Sequence, residues 1–129
     1  MSRCRCGSGR TYKRCCEPLH RGAPAQSPEA LMRSRYCAYA LGLVDYILQT
    51  TDPAGPQHQA DAEAWSRSVR AFCQETRFQG LDVLEHHEQG DEGAVRFFAH
   101  LERQGRDVSF GENSRFVRVG GRWLYHSGT

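Results

Sequence analysis

Four cysteines fall within the first sixteen residues, as Cys4 and Cys6 and then the adjacent pair Cys15 and Cys16. The segment that holds them is too short and too polar to fold by burying apolar surface. Two pairs of thiols separated by the flexible Gly-Ser-Gly loop 7–9 can converge on one tetrahedral ion. A metal held by four thiolates would supply the folding free energy that a missing core cannot. The spacing therefore predicts a zinc site made by these four cysteines.

Other potential ligands lie outside this set. His20 is the reserve ligand if one cysteine points away, because imidazole is an equally acceptable zinc donor. Cys37 and Cys73 lie in apolar helical surroundings, and we interpret them as buried core cysteines rather than as chemical groups.

Disulfides or a redox role are the main alternatives to a metal. Residues 1–3 lead straight into the cysteines, without an apolar stretch that could serve as a signal peptide or a membrane span. We therefore expect a cytoplasmic protein, whose thiols stay reduced. Adjacent cysteines such as Cys15 and Cys16 are also poorly placed to pair with each other. Iron tolerates four thiolates too, but this close spacing does not resemble the common iron–sulfur runs.

The charge of the chain is distributed unevenly. Six basic residues against Glu17 alone give residues 1–21, the head, a net charge of +5, so the chain's +2 leaves −3 for residues 22–129, the body. The cations either balance the negative metal–thiolate centre or face a partner. The partner is then an acidic protein face, a nucleic acid or a ribosomal surface. The residues that we expect to meet it are Arg5, Arg10, Lys13 and Arg14.

The first half of the body is predicted to be helical after a linker over 18–28. Ser27 and Pro28 are a helix start, with serine as the N-cap and proline at the first helical position. Gly42 is expected to kink or split this helix before a second one over 45–51. A third helix is predicted over 61–76, since its apolar residues recur along one side.

The sequence pattern of the second half of the body is typical of strands and turns. The pattern predicts strands at 81–84, 94–101, 108–119 and 122–126, the last two joined by a tight hairpin. Helices followed by a four-stranded antiparallel meander indicate an α+β fold with the helices packed on one face of the sheet.

These residues resemble two known elements. The segment 4–16 resembles the SEC-C motif, a short zinc-binding element named for the C-terminus of the SecA translocation ATPase. The segment 112–128 resembles the closing hairpin of NTF2-like domains. With 27–36, the chain is similar to the YchJ-like family of uncharacterised bacterial proteins. The resemblance implies a SEC-C motif over 1–21 and an NTF2-like, cystatin-like domain over 22–129.

The resemblance also carries expectations about partners and ligands. In SecA the motif is a docking surface for partner proteins, so an adaptor role is implied by analogy. NTF2-like sheets often mediate dimers, so a homodimer is possible. Their curved sheet leaves a conical cavity. The aromatic residues expected to line it here are Tyr36, Tyr39, Trp65, Phe98, Phe116, Trp123 and Tyr125.

One pair of residues is a weak candidate for acid–base catalysis. His100 and Glu112 come from neighbouring predicted strands and could form a pair if they faced the same way. His100, however, shares its strand face with charged residues, which indicates an exposed position. The sequence has no glycine-rich phosphate loop, no nucleophile elbow and no dinucleotide fingerprint. We therefore expect a non-catalytic zinc protein that acts as an interaction module. The alternatives are an enzyme or small-molecule binder that uses the cavity, and nucleic-acid binding by the head.

Overall fold

The computed structural model describes residues 3–129 and confirms the predicted α+β class. A single 3₁₀ turn, Tyr12–Arg14, follows the cysteine loop. The helices are α1 (Glu17–His20), α2 (Pro28–Leu41), α3 (Val44–Gln49) and α4 (Ala62–Glu75). The strands are β1 (Arg77–Gln89), β2 (Glu92–Arg103), β3 (Arg106–Asp107), β4 (Phe110–Val119) and β5 (Arg122–Gly128). No helix in the described part of the chain is both long enough and apolar enough to cross a bilayer.

Local signals account for the ends of the helices. The Ser27 hydroxyl accepts a hydrogen bond from the Ala30 amide at 3.1 Å, so it satisfies one of the free donors at the start of α2. Asp61 does the same for α4, through the Ala64 amide at 3.1 Å. Gly42 follows α2 with φ +76°, a left-handed conformation that glycine adopts without steric cost. The predicted helix boundaries are therefore confirmed to within a few residues.

The sheet is an antiparallel meander in the order β1-β2-β4-β5, with the two-residue β3 paired to β2. β1 is much longer than predicted, because it pairs with β2 along its whole length although its second half is exposed. The strand predicted over 108–119 is confirmed over 110–119, as β4. The chain leaves the sheet at Val108 and Ser109, and the Ser109 hydroxyl accepts a hydrogen bond from the Leu101 amide instead.

α2 packs across one face of the sheet. Leu31, Met32 and Tyr36 of this helix contact the inward side chains of the strands, including Val95, Phe97 and Phe116. A second apolar cluster joins α2 to α3 and α4; its buried members are Ala38, Val44, Ile47, Trp65 and Val69. The central helix is therefore enclosed by the sheet on one side and by two helices on another, and the head meets it as well.

Candidate metal centre

The four cysteines of the head converge. One sulfur atom from each of Cys4, Cys6, Cys15 and Cys16 lies within 4.8 Å of all the others. Three of the four residues are buried and Cys15 is half-buried. All are free thiols. A tetrahedral zinc ion with Zn–S bonds of about 2.3 Å places its sulfurs about 3.8 Å apart. The Sγ atom of Cys15 lies 3.5 Å from the Sγ of Cys6 and 3.9 Å from the Sγ of Cys16. The donor set therefore fits such an ion.

The backbone of the loop sets this geometry. The Cys4 amide donates to the Arg10 carbonyl at 2.7 Å, which closes the loop. Gly7 has φ +81°, which lets the chain turn back towards the sulfurs. A Cβ atom at Gly7 would also lie 3.1 Å from the Leu81 carbonyl of β1. The glycine therefore both turns the loop and lets it approach the sheet closely.

The thiols favour different protonation states in the absence of a cation. Burial raises the pKa of Cys4 to about 12. Hydrogen bonds to Cys37 and Cys6, followed by burial, raise the pKa of Cys16. A hydrogen bond from Cys16 lowers the pKa of Cys6 to about 4. Neighbouring S–H groups thus stabilise one thiolate, whereas four thiolates together require a bound cation.

A fifth thiol adjoins the cluster from the body. Cys37 of α2 is fully buried, and its Sγ lies 3.7 Å from that of Cys4. The expectation of a buried cysteine is confirmed, but its neighbours are the cysteines of the head rather than aliphatic side chains. Cys37 is outside the set of four that converge. It is placed to hydrogen-bond the ligands from the body side.

His20 has a different role from the one expected. Its Nε2 donates to the Ser34 carbonyl at 2.8 Å, which fixes the tautomer, so Nδ1 accepts from the Tyr12 hydroxyl at 2.8 Å. Its ring also packs edge-on against Tyr46 at 4.7 Å. Burial lowers the pKa of His20, in keeping with a neutral ring. Both nitrogens are therefore occupied, and the imidazole joins the head to the body instead of completing the sulfur cluster.

Two arginines also fasten the head to the body. Arg33 of α2 donates to the Cys6 carbonyl at 2.8 Å while it pairs with Glu29 at 3.0 Å. Arg5 donates to the Phe78 carbonyl of β1 at 3.1 Å. The Arg5 guanidinium, expected to face a partner, is thus engaged within the chain.

The remaining cations of the expected partner surface point outward. Lys13 and Arg14 are exposed at the end of the 3₁₀ turn. Arg10 is exposed as well, with its Nη2 3.8 Å from the Cys15 sulfur, where it faces the edge of the cluster. Within residues 3–129 none of these three forms an ion pair with a carboxylate.

The body contains a cavity of about 220 Å³ between α2, α4 and the concave face of the sheet. Four of the aromatic residues expected on its wall are there: Tyr36, Tyr39, Trp65 and Tyr125. The other three are not. Phe98 alternates with the buried Phe97 and lies on the outer face of β2, whereas Phe116 and Trp123 are packed inside the core away from the cavity.

The condition for an acid–base pair of His100 and Glu112 is not met, because the two residues lie on opposite faces of the sheet. His100 is on the outer face of β2, where its Nε2 hydrogen-bonds Asp82 at 2.8 Å. Glu112 faces inward and lines the cavity. The sequence did signal the outward position, since Arg96 and Glu102 share the strand face of His100.

Sequence reasoning missed a charged residue on the cavity wall, Arg35. It is only 5% exposed and lies within the apolar stripe of α2. A signal was present, because Arg35 stands three and four residues from Met32 and Leu31, at the spacing of a buried helix face. An arginine in such a stripe indicates a polar contact inside the fold.

Comparisons with known proteins agree with this architecture. Residues 27–128 match the family model described as YchJ, middle NTF2-like domain, and residues 2–18 match the SEC-C motif. A UPF0225 protein of Vibrio parahaemolyticus is 39% identical over 99% of this chain and 75% of its own length.

Two solved structures are also similar. The solution structure of a SEC-C motif containing protein from Rhodopseudomonas palustris has 44% identity and a TM-score of 0.84, covering 98% of this chain and 96% of its own. The crystal structure of a SEC-C motif containing protein from Psychrobacter arcticus has 25% identity and a TM-score of 0.75, covering 94% of this chain and 73% of its own. The expected combination of a SEC-C motif with an NTF2-like domain is confirmed.

Proposed function

The chain belongs to the YchJ-like family, and we propose that its head is a zinc-binding module that recognises an acidic protein surface. One observation carries this proposal. Within residues 3–129 the body forms six arginine–carboxylate ion pairs and two histidine–carboxylate contacts, and none of them includes a cation of the head. The charges of Arg10, Lys13 and Arg14 are therefore available to another molecule.

The chemistry of the donor set supports zinc as the ion. Four sulfur donors favour a thiophilic metal over the oxygen-binding calcium and magnesium. A closed set of four protein ligands is typical of structural zinc, because no open position is left for a water or a substrate. The ion thus has the role of holding the loop, and with it the positions of Lys13 and Arg14.

The surroundings of the cations favour a protein partner over single-stranded nucleic acid. Nucleic-acid grooves combine cations with exposed aromatic rings on which bases stack. Tyr12 is the one tyrosine, phenylalanine or tryptophan in the sequence of the head, and it is half-buried with its hydroxyl hydrogen-bonded to His20. A small cluster of cations without a stacking surface suits exposed carboxylates on a protein.

A charge-reversal experiment tests this proposal. We expect the immobilised full chain to retain partner proteins from a bacterial lysate, and Lys13→Glu/Arg14→Glu to reduce their retention at least about tenfold, because like charges across an interface repel. Arg67→Glu/Arg70→Glu on the exposed face of α4 is the matched control, since it changes the net charge equally. Quantitative mass spectrometry of the retained proteins, with and without nuclease, is the measurement.

The controls separate the alternatives. If the α4 control reduces retention as much as the Lys13 and Arg14 reversal does, the effect is one of general charge, and this would contradict a binding surface on the head. Retention that nuclease abolishes would instead favour nucleic acid. A chelator that strips the metal is expected to act like the reversal of Lys13 and Arg14, because the loop that positions them loses its ion.

A further inference from the structure

The cavity of the body differs from an ordinary packing defect in its size and its lining. An apolar cavity of about 150 Å³ holds benzene, and this one, at about 220 Å³, has room for a substituted ring. Its walls are mostly aromatic and apolar. Polar and charged groups are confined to a few residues, among them Arg35, Glu112 and Tyr125. Such a mixture is typical of sites for small organic molecules.

Arg35 is buried without a carboxylate partner. Its Nη1 donates to the Ile47 carbonyl at 3.2 Å and to the hydroxyls of Thr50 and Thr51 at 2.8 and 3.1 Å. Within the described residues its Nε and Nη2 have no acceptor, and it forms no ion pair. The N–H groups along this Nε–Nη2 edge are parallel and match the two oxygens of a carboxylate.

The neighbouring residues hold the guanidinium in place. Its central carbon lies 4.6 Å from the centroid of the Tyr125 ring. The other end of Tyr125 donates through its hydroxyl to Glu112 Oε2 at 3.0 Å, and the Ser114 hydroxyl donates to the same oxygen at 2.6 Å. Tyr125 therefore stands between the two charges. Glu112 is satisfied by two hydroxyl donors, whereas Arg35 retains free donors that a ligand can use.

We propose that this cavity binds a small single-ring carboxylate, with its ring among the aromatic side chains and its carboxylate on the Nε–Nη2 edge of Arg35. A buried cation is stabilised by an anion that reaches it in a site shielded from water. Glu112 repels that anion, so it sets an upper limit on the affinity. This binding is independent of the metal and of the surface of the head.

The test uses three probes of nearly equal shape on the full chain: benzoate, neutral benzamide and the benzylammonium cation. The two tryptophans report the place of binding, because Trp65 lines the cavity and Trp123 is buried elsewhere. We expect benzoate to bind most tightly, and to shift the indole N–H resonance of Trp65 while that of Trp123 stays unchanged. Titration by NMR measures both the affinity and the site.

Two variants separate binding from folding. Arg35→Met removes the charge at similar length and is expected to weaken benzoate binding at least about tenfold, because it deletes a charge-assisted hydrogen-bond pair. Glu112→Gln removes the repelling charge and is expected to strengthen benzoate binding several-fold. Damage to the fold cannot produce a gain in affinity, so Glu112→Gln keeps the test decisive if Arg35→Met fails to fold.

Four results would overturn the proposal. They are equal binding of the three probes, preference for benzylammonium, a shift at Trp123 instead of Trp65, and no benzoate binding at millimolar concentration. Weaker benzoate binding by Glu112→Gln would also contradict it, since Glu112 would then be a positive contact rather than a repelling one.

Discussion

The head and the body of this protein are held together by different physics. The body encloses its core between α2 and a meander, and six of its arginines are paired with carboxylates. Over the described residues 3–21 the head has no comparable apolar core; the buried residues there are Cys4, Cys6 and Cys16. A segment without an apolar core needs other contacts to fix its structure. In the head, the sulfur cluster has that role.

The two regions are nevertheless joined by a defined seam. The seam consists of the contacts of Cys37 with Cys4, His20 with Ser34, Arg33 with Cys6, and Arg5 with Phe78. The expected linker over 18–28 is in part α1, whose His20 contacts the body directly. The head is therefore packed on α2 and β1 rather than suspended on a tether. The contrast between the regions can be tested by removing the cluster or the seam.

Removal of a ligand is expected to have the largest effect. Cys16→Ser should lower the zinc content from about one ion per chain to near zero and the free energy of unfolding by more than about 3 kcal/mol, because metal binding and folding of the head are coupled. Elemental analysis and denaturant unfolding measure the two quantities.

The matched control is Cys73→Ser, since Cys73 is a half-buried cysteine of α4 outside the cluster. We expect this variant to keep its metal. A Cys16→Ser protein that retained stoichiometric zinc would contradict the four-cysteine set.

Substitution at the seam is expected to have an intermediate effect. His20→Ala removes hydrogen bonds to Ser34 and Tyr12 together with a ring contact, and should destabilise the protein by about 2–3 kcal/mol. The zinc content should stay the same, because both nitrogens of the ring are used for other contacts. Loss of metal in this variant would instead show that His20 is a ligand and that the metal site is a mixed cysteine–histidine site.

The smallest effect is expected at Cys37. Cys37→Ala should keep the zinc and reduce stability by about 1 kcal/mol, since it removes one weak sulfur hydrogen bond and leaves a small void. The comparison with Cys16→Ser distinguishes a neighbour of the cluster from a member of it. A loss of metal as complete as in Cys16→Ser would show that the ion takes a sulfur from the body, and the two regions would then share one centre.

What the sequence determined by itself is local. The spacing of Cys4, Cys6, Cys15 and Cys16 within one short loop restricts how far their sulfurs can separate, so the cluster could be predicted. The N-cap at Ser27 and the break at Gly42 depend on neighbouring residues only, and both were found. The alternation along β2 was also readable, and it placed His100 outside before the sheet was known.

What only the tertiary structure decided involves residues that are distant in the chain. Cys37 joins the cluster across 33 positions, because α2 passes beneath the head. The role of His20 depends on a carbonyl of that same helix. Phe116 and Trp123 face inward as the cavity residues do, but they are packed within the core and do not line the cavity. Arg35 is held through Nη1 by three acceptors on α3 and the loop after it, which leaves its Nε–Nη2 edge unpaired. Such positions follow from how elements pack, and packing depends on the whole chain at once rather than on any local pattern.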